Sequence, residues 1–392
     1  MLTERLEFAP GREAEVLSAI PAVPAVFLLR GEDAQAEPYV SKTANLRRRL
    51  QRLLGPVEER TKKLNLRDRV RRIEYARTGS DFESGFVLYQ ILRLEFPKTY
   101  SNRLRFRFAP LVKLNLENEY PRASVTRRLG RINSRNRYYG PFPSRAAAEK
   151  FMNDSLDFFK MRRCVDDLHP DPAFPGCIYS EMKMCLAPCF KGCSDQEYAA
   201  EVTRVQSYFD SAGQSLAREF SMQRETASAN LAFEEASAIH ARLEKLKPIL
   251  SQVPEVVRRL DQLCGLIVQP CHSENSVVFF LLDKGVIYGP TTFCIQTGEH
   301  TKSQSMESRV QEVLHSFEVA KAPSKLEVMD HLALLRRWYY RSRRVGEIFL
   351  VDDKGVFPMR RIVRGIGRVL RGEGSEETVE ASNRLGATEI QH

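Results

Sequence analysis

The sequence predicts a mixed α/β (α+β) protein assembled from several small units. Apolar runs of strand length alternate with amphipathic helical segments over the N-terminal quarter. Five cysteines fall between 164 and 193, and residues 194–247 have a helical pattern throughout. At 392 residues the chain is too long for one ordinary domain, since domains hold roughly 100–200 residues each. We therefore expect two or more domains.

The N-terminal quarter predicts strands packed with helices. A turn separates two short apolar runs, which indicates a β-hairpin. In the next segment the leucines share one helix face and arginines occupy the rest. Ser80 or Asp81 is expected to cap the following helix, which ends before Pro97. The predicted elements are a helix within 1–20, a strand over 25–29, a second strand that begins at 38–40, a helix over 41–54, a strand over 69–77 and a helix over 81–96.

The rest of the chain alternates between the same two element types. Alternating apolar residues over 103–126 predict two strands. Two antiparallel helices joined by a short turn are expected further on. The predicted elements are a helix over 144–162, one long helix over 194–228, a second helix from 230 to 247, strands within 263–295, helices within 305–345, a strand over 348–351 and a helix over 358–371.

Positive charge is concentrated near the N-terminus. The chain has 60 Lys and Arg against 50 Asp and Glu, a formal net charge of +10. Residues 42–77 hold thirteen Lys and Arg against four acids, and residues 93–145 hold thirteen against three. Two dense basic stretches favour a surface that binds the phosphates of nucleic acid. The alternative is a basic face that only contacts solvent.

No targeting signal or membrane-spanning segment is expected. The first 20 residues carry several charges and lack an apolar core of signal-peptide length. No apolar run reaches the 18 or more residues that a spanning helix needs. The predicted compartment is the cytoplasm, where thiols stay reduced and disulfides are rare.

The cysteine cluster predicts a metal centre. Successive separations are thirteen, eight, four and four residues for Cys164, Cys177, Cys185, Cys189 and Cys193. Thiolates suit zinc or an iron–sulfur centre, and four ligands suffice for either. The alternative is a set of buried structural thiols. Three further cysteines on predicted strands are expected in the core, Cys264, Cys271 and Cys294.

The hairpin and the basic helix carry a specific motif. The two strands contain Pro24-Ala25-Val26-Phe27 and Tyr39-Val40-Ser41-Lys42, and the helix begins with Asn45-Leu46-Arg47-Arg48-Arg49. These segments resemble the GIY-YIG nuclease domain of the UvrC/Cho family of DNA-repair nucleases. The resemblance implies catalytic positions retained at Tyr39, Lys42 and Arg49. It implies contacts with DNA through Arg47, Arg48 and Arg52.

Two departures from the family pattern predict an impaired or inactive nuclease. Phe27 stands where the family has a tyrosine, and a phenyl ring cannot move a proton. Leu88 stands where the family has the glutamate that binds Mg²⁺ or Mn²⁺, and leucine offers no oxygen to such ions. Glu83 lies about 140° around the helix from Leu88, and Glu95 lies roughly 10 Å along its axis. Neither carboxylate is expected to substitute.

The segments that follow also resemble this family. Tyr139-Gly140-Pro141-Phe142 precedes the cysteines as in UvrC, and Cys185-Leu186-Ala187-Pro188-Cys189 matches the end of the family's cysteine pattern. The resemblance implies a [4Fe-4S] cluster held by Cys164, Cys177, Cys185 and Cys189, with zinc as the alternative and Cys193 as the spare.

A fourth segment, over 227–243, resembles the UVR motif, the helical hairpin through which UvrC contacts UvrB. The resemblance implies a partner-binding stripe, and an exposed Phe233 would favour that role. An ordinary hairpin packed on its own chain is the alternative. The stripe residues are Leu231, Phe233, Ala236, Ile239 and Leu243.

The resemblance covers roughly residues 10–295. It implies a GIY-YIG-like domain over 1–102, a strand and helix region with the cysteine cluster over 103–193, the hairpin over 194–250, and a C-terminal α/β region over 260–392 without a full RNase H-like nuclease. The expected function is that of a UvrC-like DNA-binding protein of nucleotide excision repair that works with UvrB and UvrA. A non-catalytic adaptor that binds DNA and UvrB is the alternative, and an RNA-binding protein fits the charge but not the motifs.

Overall fold

Three small antiparallel sheets organise the molecule. The computed structural model describes residues 2–33, 35–56, 64–130, 135–165, 168–295, 304–320 and 323–373. Within these ranges each sheet has four strands, and the helices pack against and between the sheets. The mixed α/β class predicted from the sequence is therefore confirmed.

The first sheet has the order β1-β4-β2-β3, which leaves β3 at an edge. Helix α2 begins after Asn45, whose side chain accepts the N–H of Arg48 at 2.9 Å. Helix α3 begins after Ser80, whose hydroxyl accepts the N–H of Glu83 at 3.0 Å. The elements of this unit are β1 Glu4–Glu7, α1 Glu13–Ala19, β2 Ala25–Arg30, β3 Tyr39–Thr43, α2 Leu46–Leu54, β4 Arg72–Arg77 and α3 Asp81–Glu95.

The second sheet has the order β6-β5-β7-β8 and precedes the cysteine loop in the chain. Its last strand, β8, follows the helical hairpin in the chain and pairs with β7, so the segments before and after the hairpin share one sheet. The elements are α4 Tyr100–Leu104, β5 Leu111–Asn115, β6 Arg122–Thr126, β7 Arg137–Gly140, α5 Arg145–Leu156, the short α6 Ile178–Glu181 and β8 Arg258–Arg259.

Three helices, not two, occupy the segment after the cysteines: α7 Asp195–Asp210, α8 Gln214–Ala229 and α9 Phe233–Ser251. The predicted single helix over 194–228 is wrong because the chain breaks at Gly213, which has φ +86°. A Cβ atom there would lie 2.1 Å from Leu250, so the turn requires glycine. The predicted end before Pro248 is also wrong, since α9 continues through that proline to Ser251.

The third sheet has the order β11-β10-β9-β12 and forms the C-terminal region. The predicted strands, the turn between β10 and β11 and the final helix are confirmed. The elements are β9 Gly265–Pro270, β10 Ser276–Asp283, β11 Val286–Cys294, α10 Met306–Ser316, α11 Lys325–Tyr339, β12 Glu347–Leu350 and α12 Met359–Arg371.

Helix α3 joins the first sheet to the C-terminal region. On one side Val87 and Ile91 pack with Val26 and Leu28 of β2. On the other side α3 contributes Phe82, Phe86 and Tyr89 to the largest apolar core, which continues through the second sheet, the helical hairpin and the third sheet. The first sheet is therefore packed against the rest of the chain through α3.

Several predicted boundaries shift. Residues 1–20 hold a strand as well as a helix, because Glu4–Glu7 pairs with Arg72–Tyr75 of β4. The helix predicted over 41–54 begins only at Leu46, since β3 continues to Thr43. Leu104 ends a short helix instead of belonging to a strand, and the helix predicted over 144–162 ends at Leu156.

Candidate functional site

The edge strand β3 and helix α2 bring two of the retained nuclease positions together. Arg49 Nη2 donates to the hydroxyl of Tyr39 at 2.8 Å. Arg49 Nε is buried without a hydrogen-bond partner among the described residues. Such a guanidinium keeps its full positive charge and has donors available for an anion at the edge of the sheet.

Phe27 and Leu88 lie on different faces of the first sheet. Phe27 is fully buried under α2, with its ring centroid 6.1 Å from that of Tyr39. Leu88 is half-buried and packs with the apolar cluster between β2 and α3. The side chain of Leu88 therefore has apolar neighbours.

Both nearby carboxylates have other contacts. Glu83 is buried and accepts the N–H of Gly79 at 2.7 Å, and burial raises its pKa to about 7. Glu95 forms an ion pair with Arg30 at 2.5 Å. These contacts agree with the expectation that neither side chain substitutes at the Leu88 position.

Lys42, the third retained position, contacts a carboxylate at the start of α3. Its Nζ forms an ion pair with Asp81, and Asp81 also pairs with Arg341 at 2.5 Å. Burial opposes ionisation of Asp81, but the two cations hold the pKa of this carboxyl below its ordinary value. Arg341 follows α11, so the C-terminal region reaches the retained lysine through this acid.

The three predicted DNA-binding arginines of α2 differ in their exposure. Arg48 and Arg52 are exposed to solvent. Arg47 is half-buried and donates from Nε to the carbonyl of Ile20 at 2.6 Å. Two of the three guanidinium groups therefore face solvent, and the third also anchors the helix.

The four cysteines of the predicted ligand set lie in one region of the structure. Burial, together with the nearby Cys164, Cys189 and Cys177, raises the pKa of the Cys185 thiol to about 11. Cys193 instead has Glu197, Asp195 and Cys189 as its charged neighbours. Among the described residues, no three His, Cys, Asp or Glu side chains are close enough to hold a metal ion directly.

Two of these sulfurs accept hydrogen bonds from nearby donors. The buried Arg162 donates from Nη1 to Cys164 Sγ at 3.3 Å, and the N–H of Ala187 donates to Cys185 Sγ at 3.3 Å. Hydrogen bonds to sulfur stabilise the negative charge that a metal ligand carries. Sequence reasoning missed Arg162, because nothing local distinguishes it from the arginine that follows.

The predicted partner-binding stripe divides along the hairpin. Leu231 and Phe233 at its tip are 73% and 65% exposed. Ala236 is half-buried, whereas Ile239 and Leu243 are buried. Ile239 and Leu243 therefore pack against the protein itself. Leu231 and Phe233 at the tip present two large apolar side chains to solvent.

The three remaining cysteines are less buried than predicted. Cys264 and Cys271 are half-buried and Cys294 is exposed, so the core placement expected for Cys294 is wrong. Cys294 is the last residue of β11, where alternate side chains face solvent.

No helix in the described part of the chain has the length and apolar character that crossing a membrane requires.

The middle region of the chain is similar to a known protein family. Residues 109–208 match the family model of the UvrC/Cho excinuclease middle domain. This match includes β5 to α5, the cysteine loop and most of α7. No solved structure matches the chain.

Curated relatives extend the match in both directions. UvrABC system protein C of Carboxydothermus hydrogenoformans is 26% identical over 315 residues, which is 80% of this chain and 50% of that protein. UvrABC system protein C of Alcanivorax borkumensis is 27% identical over 272 residues, which is 69% of this chain and 44% of that protein. The chain thus spans about half the length of the curated relatives it matches. In its middle domain and along most of its length, the chain is therefore similar to proteins of the UvrC/Cho family.

Proposed function

We propose that this protein is a UvrC-like DNA-binding protein of nucleotide excision repair whose GIY-YIG-like site is impaired in DNA incision. The observation that carries the proposal is the environment of Leu88. An apolar cluster lies where the family's metal-binding carboxylate is expected, and Glu83 and Glu95 have other partners. Without a bound divalent ion, the charge that develops on the attacking and leaving oxygens is not stabilised.

DNA binding remains compatible with these substitutions. Arg49 with its unpartnered Nε, the exposed Arg48 and Arg52, and Lys42 lie on β3 and α2. Lys and Arg side chains hold phosphates by charge and hydrogen bonds and need no metal for this purpose. We expect this edge of the first sheet to contact the DNA backbone.

The proposed metal centre is held by Cys164, Cys177, Cys185 and Cys189. The convergence of these thiols and the hydrogen bonds to their sulfurs support a four-thiolate site. A [4Fe-4S] cluster is the proposed occupant and zinc is the alternative. The centre would tie the cysteine loop to α7, and no chemical step is assigned to it.

The proposed protein partner is UvrB, which would bind the tip of the α8–α9 hairpin. Large apolar side chains that are exposed side by side mark surfaces that bind other proteins, and aromatic side chains are frequent anchors of such interfaces. A non-catalytic adaptor that binds DNA and UvrB is the second candidate function, favoured by the combination of this exposed tip and the apolar Leu88 position.

One experiment separates these functions. The purified protein is mixed with UvrA, UvrB, Mg²⁺ or Mn²⁺ and a duplex that carries a lesion, and both DNA binding and strand nicking are measured. We expect binding without efficient nicking. Efficient incision 3′ to the lesion by the wild-type protein contradicts the proposed impairment.

A companion variant distinguishes an impaired nuclease from an adaptor. Leu88→Glu returns a carboxylate to α3, and Leu88→Gln serves as the matched control without the charge. Nicking gained by the first variant alone indicates that the rest of the site is competent. Intact DNA binding without nicking in either variant favours the adaptor.

A further inference from the structure

A second group of arginines lines a pocket between the middle region and α11. The pocket has a volume of about 500 Å³ and contains Arg105, Arg107, Arg336 and Arg337 beside Pro143 and Tyr340. The first two arginines follow α4, and the other two lie in the last turn of α11. More than two hundred residues of chain separate the two pairs.

Backbone carbonyls hold two of these guanidinium groups in place. Arg336 donates from Nε to the carbonyl of Pro143 at 3.0 Å and from Nη1 to the carbonyl of Arg107 at 3.2 Å. Arg337 donates from Nη2 to the carbonyl of Leu104 at 3.2 Å. Carbonyl oxygens orient a guanidinium without neutralising it, so the positive charge remains available to a ligand.

Within the described ranges, the charge of this arginine cluster is not compensated by acids. No carboxylate of the described residues pairs with these four arginines, whereas Arg30, Arg93 and Arg204 each pair with glutamates. Burial and the charges of Arg127, Arg107 and Arg337 lower the pKa of Arg336. Like charges held together in this way repel one another, and an anion in the pocket relieves the repulsion.

The pocket is open to solvent, so a phosphate that belongs to a large molecule can reach its arginines. Arg105, Arg107 and Arg337 are exposed at the rim, so the pocket is open to a long polyanion. Arg341 lies four residues beyond Arg337 and contacts Asp81, which also pairs with Lys42 of β3. Through Asp81, the segment after α11 is thus linked to the edge of the first sheet.

We propose that this arginine pocket binds backbone phosphates of DNA as a second contact site, formed jointly by the middle region and α11. The inference rests on the proposed DNA-binding function and adds a site to it. Arginine suits the role because its planar fork can bind two phosphate oxygens at once. Phosphate contacts of this kind position a protein on DNA without reading its sequence.

The test measures DNA affinity as a function of salt. Full-length wild-type protein and the variant Arg107→Gln with Arg337→Gln are titrated onto a fluorescent duplex by anisotropy, from about 50 to about 200 mM NaCl. Removing one arginine that binds a phosphate lowers the slope of log affinity against log salt by about 1. We expect the double variant to lower this slope by about 2, equally for different DNA sequences.

The control variant removes the same net charge elsewhere. Arg218→Gln with Lys245→Gln changes two exposed residues of the helical hairpin, and we expect its slope to equal that of the wild type. Equal melting temperatures of all three proteins exclude misfolding as the cause of a change. Equal slopes for the pocket variant and the control overturn this inference while leaving the proposed function intact, whereas wild-type protein that fails to bind DNA overturns both.

A second arm distinguishes DNA from a small phosphate ligand. Sodium pyrophosphate is titrated into the wild-type protein and the pocket variant by calorimetry. Binding of pyrophosphate by the wild type alone, together with an unchanged salt slope for DNA, assigns the pocket to a small anion and overturns the proposal.

Discussion

At the scale of single residues, Glu83 has a pH-dependent effect on stability. Its carboxyl is buried at the start of α3, and burial raises its pKa from 4.5 to about 7. The folded protein therefore keeps a proton that the unfolded chain has released between these two values. Because the unfolded state binds fewer protons there, the free energy of unfolding falls as pH rises from about 4.5 to about 7 and then levels off.

The variant Glu83→Gln removes this titration and retains an oxygen that accepts the N–H of Gly79. We expect it to be more stable than the wild type at about pH 8, by about 2–3 kcal/mol, and to lose this advantage towards about pH 4.5. Urea unfolding of both proteins across this range measures the difference. A difference that does not change with pH would mean that Glu83 titrates normally.

At the scale of elements, the hairpin of α8 and α9 has a packed half and an exposed tip. We expect Phe233→Ala to change the free energy of unfolding by less than about 0.5 kcal/mol, because the ring is 65% exposed. The same change is expected to weaken binding to UvrB by at least about tenfold, since exposed aromatic side chains are common interface anchors. Titration calorimetry with purified UvrB measures the affinity.

The matched control is Ile239→Ala, six residues further along α9. This side chain is buried, so its truncation is expected to lower the free energy of unfolding by about 2–5 kcal/mol. Unchanged UvrB affinity in Phe233→Ala rules out the tip as the docking site.

The cysteine loop allows a second comparison within one element. Cys185 has the other three family cysteines as neighbours, whereas Cys193 lies beside Glu197 and Asp195. We expect Cys185→Ser to abolish metal binding and Cys193→Ser to retain it. Metal analysis and the visible absorption of anaerobic preparations measure the content and separate iron–sulfur from zinc. Equal loss in the two variants contradicts the assignment of Cys193 as the spare.

At the scale of the whole molecule, α3 couples the GIY-YIG-like unit to the C-terminal region. Phe86 is buried, with its ring centroid 5.4 Å from Phe280 and 5.5 Å from His331. Nearby, Asp330 Oδ2 accepts the hydroxyl of Tyr100 at 2.6 Å, and burial raises the pKa of this carboxyl. These contacts lie between elements that are far apart in the chain.

We expect Phe86→Ala to lower the free energy of unfolding by about 3–5 kcal/mol and to destabilise both units together. Fluorescence of Trp338, whose ring lies 5.0 Å from Phe82, reports on the contact between α3 and α11. Circular dichroism reports on the whole molecule. Leu94→Ala on the same helix is the control, because Leu94 is 69% exposed. Two separate unfolding transitions in the wild type would show that the units are not coupled.

Local sequence patterns predicted much of this protein. Ser80 begins a helix as predicted, because a side-chain oxygen next to an apolar periodic segment caps the backbone within three residues. The β2–β3 hairpin, the β10–β11 turn and the final helix follow from equally short-range patterns. The family resemblance singled out Tyr39 and Arg49, which contact each other, and the four cysteines, whose role as metal ligands stays a prediction.

Long-range contacts decided the rest. The helical pattern breaks at Gly213, where the side chain of Leu250 packs so close that only glycine fits. Glu4–Glu7 forms a strand because it pairs with β4. The arginine pocket joins Arg107 and Arg336, which are 229 residues apart. The sequence by itself determined most of the helical and extended segments and which residue types carry charge or sulfur, because these properties depend largely on neighbours within a few positions. Only the tertiary structure decided which of those charges remain without a carboxylate partner, because pairing depends on residues that folding brings together from distant parts of the chain.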